Sequence, residues 1–447
     1  MSRCSPLALV CLVLWSLSMT MAAYCQDQPP EKPTGVMTID DLFAQVGSRV
    51  PAFGGMFVDE KSDTLYLYMV PGEGGDLARL DRVITDVLGP NRPPEHKLQA
   101  LAAQYTFRQL KTWHDRLSPQ VLALPGAVFT DIDDSKNRLE VGIETWALAG
   151  AVETVLAALD IPREVVNLEE TPPVSLPGIP ADQNPLQTVD EVREGKTLRD
   201  EFRPLVGGLQ IQIAVTGLAS SSTCTLGFLA TREKILGLVT NDHCIQEHNQ
   251  RHLDLNMFYQ PTIDDKYKVG NGSVDPDYFK KEQNPDCPEN RFCRFSDSAF
   301  ATLTDKATDP VGYVAKPASG LDWDGTTKFR IVGTVKPVKD MSVTRVSSQS
   351  GIDTGSVSNP CRNLNTKDSK GRDTGVTLLC QVSVGWTVKV VPGDSGSPVF
   401  TTNKENNDVM LLGLLWGDTG VSPVDQIKIT GTELGPTLLV CADGLKC

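Results

Sequence analysis

The segment Pro392-Gly393-Asp394-Ser395-Gly396-Ser397-Pro398 sets one serine between two glycines. A serine hydroxyl is a poor nucleophile at neutral pH. It needs a base beside it and fixed donors for the charge that develops on an attacked carbonyl oxygen. Glycines on both sides permit a tight turn that aims backbone N–H groups inward, so the N–H groups of Gly393 and Ser395 are the expected oxyanion donors. Taken alone, the Gly-Asp-Ser-Gly tetrapeptide reads equally well as a plain turn. Two upstream segments change this. Leu238-Val239-Thr240-Asn241-Asp242-His243-Cys244 is an apolar strand running straight into a histidine and a cysteine, and Arg294-Phe295-Ser296-Asp297-Ser298-Ala299-Phe300 sets an aspartate at the start of another. An imidazole that is to take a serine proton must be held in one tautomer and orientation, and a buried carboxylate does this. The expected constellation is Ser395 as nucleophile, His243 as base and Asp297 as the carboxylate that orients it.

Around these residues the chain has the texture of short strands. From Arg203 onward, apolar runs alternate with Gly, Asn, Asp and Pro turns: Leu209 to Val215, Thr225 to Ala230, Ile235 to Thr240, Ser298 to Leu303, Arg330 to Val335, Val376 to Val384, Ser397 to Thr401 and Val409 to Leu415. Helix-length periodic segments are scarce. Such spacing predicts an all-β sandwich or barrel.

The histidine, aspartate and serine segments, in that chain order, resemble the chymotrypsin-like serine peptidases, especially the bacterial streptogrisin-like and α-lytic-like members. The resemblance covers about residues 203–440. Cys224-Thr225-Leu226-Gly227-Phe228 and Val239 to Cys244 are similar to the family's first cysteine strand and its histidine motif. Gly355-Ser356-Val357 with the strand Val376 to Val384 is similar to the hairpin before the nucleophile, and Gly413-Leu414-Leu415-Trp416-Gly417 to the strand lining the substrate groove. The resemblance implies an all-β catalytic domain of two antiparallel β-barrels with the triad between them. It also implies a serine endopeptidase acting on polypeptides, a Cys224–Cys244 disulfide bracketing the base, and a groove wall at Trp416, Gly417 and Asp418. Further, Leu205-Val206-Gly207-Gly208 resembles the sequence that in animal members follows activating cleavage, whose new amino group would pair with Asp394. The departures are specific. Ser397 replaces the motif's second glycine, a change expected to leave the oxyanion turn intact. Val390 or Val391 stands where streptogrisins carry a cysteine, Leu415-Trp416 where a serine is usual, and Lys389 where an acid would mark Arg/Lys preference. A catalytically silent binding protein on the same fold is the competing reading.

Eight cysteines follow residue 200: Cys224, Cys244, Cys287, Cys293, Cys361, Cys380, Cys441 and Cys447. An even number in an exported chain points to disulfides, and joining neighbours is the simplest of many pairings. Zinc would need clusters such as C-x-x-C, which do not occur. His248 and His252, four apart, lack the glutamate of H-E-x-x-H. Asp322-Trp323-Asp324-Gly325 opens like a calcium loop but lacks the later ligands. No metal or cofactor is expected.

The first half reads differently. Arg3, the apolar run Leu7 to Met21, and Ala22-Ala23 read as a secretion signal over residues 1–25, predicting a secreted or periplasmic protein. The run is too short for a comfortable membrane span, and no membrane partner is expected. A net charge of −14, lying mainly in the N-terminal half, argues against nucleic acid. Residues 27–170 read as a small α+β domain containing a duplicated unit. Each copy has a hairpin, Phe53 to Val70 or Ala127 to Glu144, followed by a helix, Asp76 to Leu88 or Thr145 to Leu159. A last strand runs from Val165 to Leu168, and an amphipathic helix from about Glu95 to Arg116 lies between the copies. His96 and His114 are read as surface or packing residues. Residues 171–203, broken by Pro172, Pro173, Pro177 and Pro180, read as a linker needing no core, before a protease domain at 204–447. The bacterial relatives carry N-terminal pro-domains, so 27–170 is expected to be the enzyme's own pro-domain, a partner that assists folding and then blocks the cleft.

Overall fold

Capping chemistry sets the first elements. In the computed structural model, Thr38 accepts from the Asp41 N–H while the Asp41 carboxylate takes the Thr38 N–H, starting α1 (Ile39–Arg49). The model describes residues 37–72, 76–92, 97–175, 196–215, 221–245, 255–304, 312–403, 405–429 and 439–440. The proposed signal, His96, His248, His252, Cys441 and Cys447 lie outside these residues. After α1 come the antiparallel pair β1 (Phe53–Asp59) and β2 (Thr64–Met69), then α2 (Leu77–Leu88), whose N-terminus is capped by Asp76.

The order then departs from expectation. Lys97–Ala102 is not helix but strand β3, laid parallel on β2. The helix, α3, begins only at Phe107, where Thr106 and Gln109 form a second capping box, and runs on to Val121. Pairing with the free edge of β2 outweighs helix propensity over Lys97–Ala102, and the cap fixes the start that periodicity alone placed too early. Next come β4 (Ala127–Asp133) and β5 (Arg138–Ile143), antiparallel, then α4 (Ala149–Ala158) and β6 (Val166–Glu170), parallel to β5. The duplicated unit is therefore α-β-β-α-β in each copy. Its helices and sheets share one apolar core, which also takes in Val338, Cys361 and Cys380 from the second half.

The second half is strand-rich. One eight-stranded sheet runs, edge to edge, Leu439–Val440, Phe228–Arg232, Ile235–Thr240, Ala299–Leu303, Lys268–Val274, Asn256–Tyr259, Gln210–Val215 and Ser221–Thr225, and its described pairings are antiparallel. The run Thr225 to Ala230, expected as one strand, is two strands broken at Leu226-Gly227. There the chain is wedged between sheets: a Cβ on Gly227 would lie 2.3 Å from Leu414 Cδ1 and 2.8 Å from the Gly396 carbonyl. The other sheet, of thirteen strands, contains the long hairpin Gly351–Lys367 and Asp373–Trp386 and the strands Ser342–Ser347, Pro398–Thr402, Asp408–Leu415 and Gly420–Pro423. It continues into β4, β5 and β6, because Asn363 and Leu364 pair with Thr130 and Phe129.

The segment read as needing no core finds one at both ends. Val174–Ser175 pairs parallel with Thr366–Lys367. Downstream, Leu198 is wholly buried and Phe202 nearly so, in the apolar cluster that fills the eight-stranded sheet. The Phe202 ring lies tilted against Trp323, 4.4 Å between ring centroids.

Candidate active site

The strand Ile235–Thr240 ends at Asn241 and turns once, through Asp242–Cys244, to present His243. Two pairings hold this turn. Cys244 is bonded to Cys224, and Ser222 donates its hydroxyl to the Cys244 carbonyl. On the other flank, Ala299–Leu303 runs antiparallel to Ile235–Thr240, which brings Asp297, two residues before it, alongside His243. Asn241 Nδ2 donates to the Asp297 carbonyl at 2.7 Å and the His243 N–H to Asp297 Oδ1 at 3.1 Å.

Asp297 Oδ2 lies 2.5 Å from His243 Nδ1, and Ser395 Oγ lies 2.8 Å from His243 Nε2. An ionised carboxylate only accepts, so Nδ1 carries the proton and Nε2 is left to accept from the serine hydroxyl. Asp297 is wholly buried, and Ser395 and His243 are 2% and 6% exposed. Burial would push the Asp297 carboxyl up. The charges of His243 and Arg294 and the hydrogen bond to His243 outweigh it, holding the group below the ordinary carboxylate range.

Ser395 reaches this line from the other sheet, on the turn before Pro398–Thr402. Gly393 and Gly396 have φ of +97° and +92°, a region open to glycine at little cost. Among the described residues, the N–H groups of Gly393 and Ser395 make no hydrogen bond. Carbonyls on the far side are tied down: Thr225 Oγ1 donates to the Gly393 carbonyl at 2.9 Å, and the Thr225 N–H to the Ser395 carbonyl at 2.7 Å. Ser397, in place of the second glycine, is hydrogen-bonded through its hydroxyl to the Ser347 hydroxyl and the Asp394 carbonyl, and the turn keeps its form.

The Asp394 carboxylate accepts from the Ser350 N–H at 2.9 Å, the Ser350 hydroxyl at 2.8 Å and the Val391 N–H at 3.0 Å, and Arg345 stands 3.7 Å away. Leu205 and Val206 are buried in the core. In the uncut chain, therefore, Asp394 has its partners in Ser350 and Val391, and Leu205 lies in the core.

Of the residues expected to wall a groove, Trp416 is wholly buried. Its indole N–H donates to Gln381 Oε1 at 3.0 Å, and its ring fills the space where a Gly420 Cβ would come, 2.3 Å away. It belongs to an apolar cluster with Val128 and Phe129 of β4, Leu364 and Leu378, against which Val174 packs. Gly417 is buried, and a Cβ added there would meet the Ser175 carbonyl at 3.3 Å. Asp418 is exposed at the turn. Cys287 is bonded to Cys293 and Cys361 to Cys380. Asp324 spends its carboxylate on Thr326 and Thr327. His114 is buried, 3.2 Å from the Thr130 hydroxyl.

Sequence reading missed three groups. Arg294 Nη2 donates to Asp297 Oδ1 at 3.0 Å. The Ser422 hydroxyl accepts from the Asp297 N–H and donates to Gln381. The Ser348–Ser350 segment underlies the nucleophile turn. Arg294 stands within the aspartate motif, three residues before Asp297, but nothing in its spacing distinguishes an inward arginine from a solvated one.

No family model and no curated protein matches the sequence. Among solved structures, Protease A of Thermobifida fusca aligns at 15% identity over 50% of this chain and 93% of its own, with a TM-score of 0.30. Nocardiopsis protease aligns at 17% identity over 50% and 94%, also with a TM-score of 0.30. Cellulomonas bogoriensis chymotrypsin aligns at 15% over 53% and 98%, again at 0.30. The neighbours are proteases by name, and likeness at this distance carries no argument about the chemistry of this chain, which rests on its own geometry.

Proposed function

We propose that the chain is a chymotrypsin-like serine endopeptidase. In this reading the eight-stranded sheet and the neighbouring strands of the larger sheet act as the fold's two barrels within residues 204–447. The observation that carries the proposal is the single line Asp297 Oδ2, His243 Nδ1, His243 Nε2, Ser395 Oγ, buried and assembled from both sheets. Ser395 Oγ attacks the peptide carbonyl carbon as its proton passes to Nε2. The carbonyl electrons move onto oxygen, which the N–H groups of Gly393 and Ser395 receive. Collapse breaks the C–N bond, and the leaving amine takes the proton from Nε2. Water then repeats the sequence on the acyl-serine. Asp297 holds the ring and offsets the imidazolium charge throughout. Hydrolysis of a peptide library by the wild type, with none by Ser395→Ala at equal concentration, tests the assignment.

The N-terminal unit, residues 27–170, is proposed to be a pro-domain that covers the groove. Supporting this, β4 extends the sheet of the hairpin Gly351–Lys367, Val128 and Phe129 share a cluster with Trp416, and the chain leaving β6 carries the Ser175 carbonyl to Gly417. A maturing cut is proposed upstream of Lys196, since Leu198 and Phe202 belong to the protease core. The protein is proposed to be exported. No described helix is long and apolar enough to cross a membrane.

A further inference from the structure

Behind the carboxylate of the proposed triad sits a buried cation that the peptidase reading does not require. Arg294 is 3% exposed. Its Nη2 donates to Asp297 Oδ1, the oxygen not facing the imidazole, at 3.0 Å, and its Nη1 to Asp242 Oδ2 at 2.5 Å. The Tyr278 ring covers the guanidinium at 4.7 Å. The loop delivering these groups is closed on itself: Cys287 is bonded to Cys293, the residue before Arg294, and Phe279 exchanges backbone hydrogen bonds with Cys293. The loop disulfide thus fixes the root of the side chain that meets Asp297.

The charges facing Arg294 come from three directions. The turn Asp242–Cys244 supplies Asp242 and His243. The segment after the strand Lys268–Val274 supplies Asp275 and Tyr278. Arg294's own segment supplies Asp297. Burial beside Asp242 pushes the Asp275 carboxyl up to about 7, so it is protonated across the acid range. Burial likewise pushes the Tyr278 hydroxyl up, keeping it neutral. Burial would weaken the guanidinium, but Asp242 leads the groups that hold it charged. The cation is therefore balanced by Asp242 and shared with Asp297, and an imidazolium at His243 is met by less than a full negative charge.

We propose that Arg294 is a positioning residue for the proposed hydrolysis: it holds the Asp297 carboxylate in the orientation that meets His243 and draws on its charge. The inference rests on the serine-peptidase reading of the site. Removing the cation leaves the imidazole facing a full carboxylate charge, which favours its protonated, inactive form.

The test measures kcat and KM against pH for protein expressed as the full chain and processed to its active form, normalised by active-site titration with a fluorophosphonate. In Arg294→Gln the acid limb of kcat/KM should move upward by on the order of one pH unit, with KM at the plateau unchanged. Arg294→Lys, which keeps the charge and loses the fork, should keep the limb in place and lower kcat. Because Arg294→Gln removes the cation that faces Asp242, the double variant Arg294→Gln/Asp242→Asn removes both charges together and should move the limb the same way by a smaller amount. A limb that stays put in both folded, titratable glutamine variants overturns the proposal and leaves the peptidase reading intact. A wild type that the fluorophosphonate does not label overturns both.

Discussion

Gly396 lies against the Thr225 carbonyl so closely that a Cβ added to it would sit 2.1 Å from that oxygen and 2.4 Å from Thr240 Oγ1. The contact joins the nucleophile turn to the strands that carry the histidine, and it is closed to any side chain. Its φ of +92° is also unfavourable for alanine. Gly396→Ala should therefore cost about 3 kcal/mol of stability and remove activity even in protein that stays folded. Urea denaturation and peptide hydrolysis check the two effects, and a variant of wild-type activity would show that the turn does not depend on this approach.

Asp131 on β4 accepts from Asn359 across the junction with the long hairpin. Burial raises its carboxyl to about 7, against an ordinary value of 3.8, and Arg362 and Asn359 only partly offset this. A carboxyl whose folded value is raised favours the folded state at low pH. That advantage is lost as pH climbs from about 4 to 7. At about 1.4 kcal/mol per pH unit the loss is about 4 kcal/mol. Asp131→Asn removes this titration, so the stability difference between variant and wild type should grow in the variant's favour from pH 4 to pH 8. A difference that is constant across that range, measured by denaturation, would contradict the assignment.

The strap Lys196–Arg203 ties the linker's end to the base of the nucleophile turn. Leu198 is buried in the core, and Arg199 donates to the Ser348 and Gln349 carbonyls at 2.9 and 3.2 Å, directly under Gly393. Leu198→Ala should cost about 3 kcal/mol. A chain cut at Lys196 should keep the strap and its activity, whereas one cut at Pro204 should lose both. Equal activity from the two would place the mature start downstream instead.

If residues 27–170 cover the groove, the purified segment 27–195 added in trans should inhibit the processed enzyme. If Trp416 and Gly417 line the groove, as the resemblance implies, the segment's contacts there would make peptide substrates compete with it. Inhibition should therefore raise KM with little change in kcat, read from initial rates. An inert segment would remove the blocking role.

The three motif residues were legible because each stood in a segment with its own physical demand. Ser395 had flanking glycines, His243 the end of an apolar strand, and Asp297 the start of another. The Cys224–Cys244 bond followed both from joining neighbouring cysteines and from the family resemblance. The β3 strand was not legible: Lys97–Ala102 is short, mostly exposed and defined by its neighbour β2, which periodicity does not reveal. Arg294 and Ser422 were hidden for a related reason, since each acts through a partner distant in the fold or through burial that a one-dimensional pattern lacks. The linker reading erred at Leu198 and Phe202, where proline and acidic composition upstream masked two apolar anchors.

Ser395 is proposed to be a nucleophile activated by His243. The most direct measurement is labelling of the full chain and of its processed form with a fluorophosphonate, followed by peptide mass spectrometry. One adduct is expected, on the peptide containing Ser395, formed at a rate that falls by about 10³ or more in His243→Ala and absent in Ser395→Ala. An adduct on another residue, or labelling of Ser395 that is unaffected by loss of His243, would contradict it.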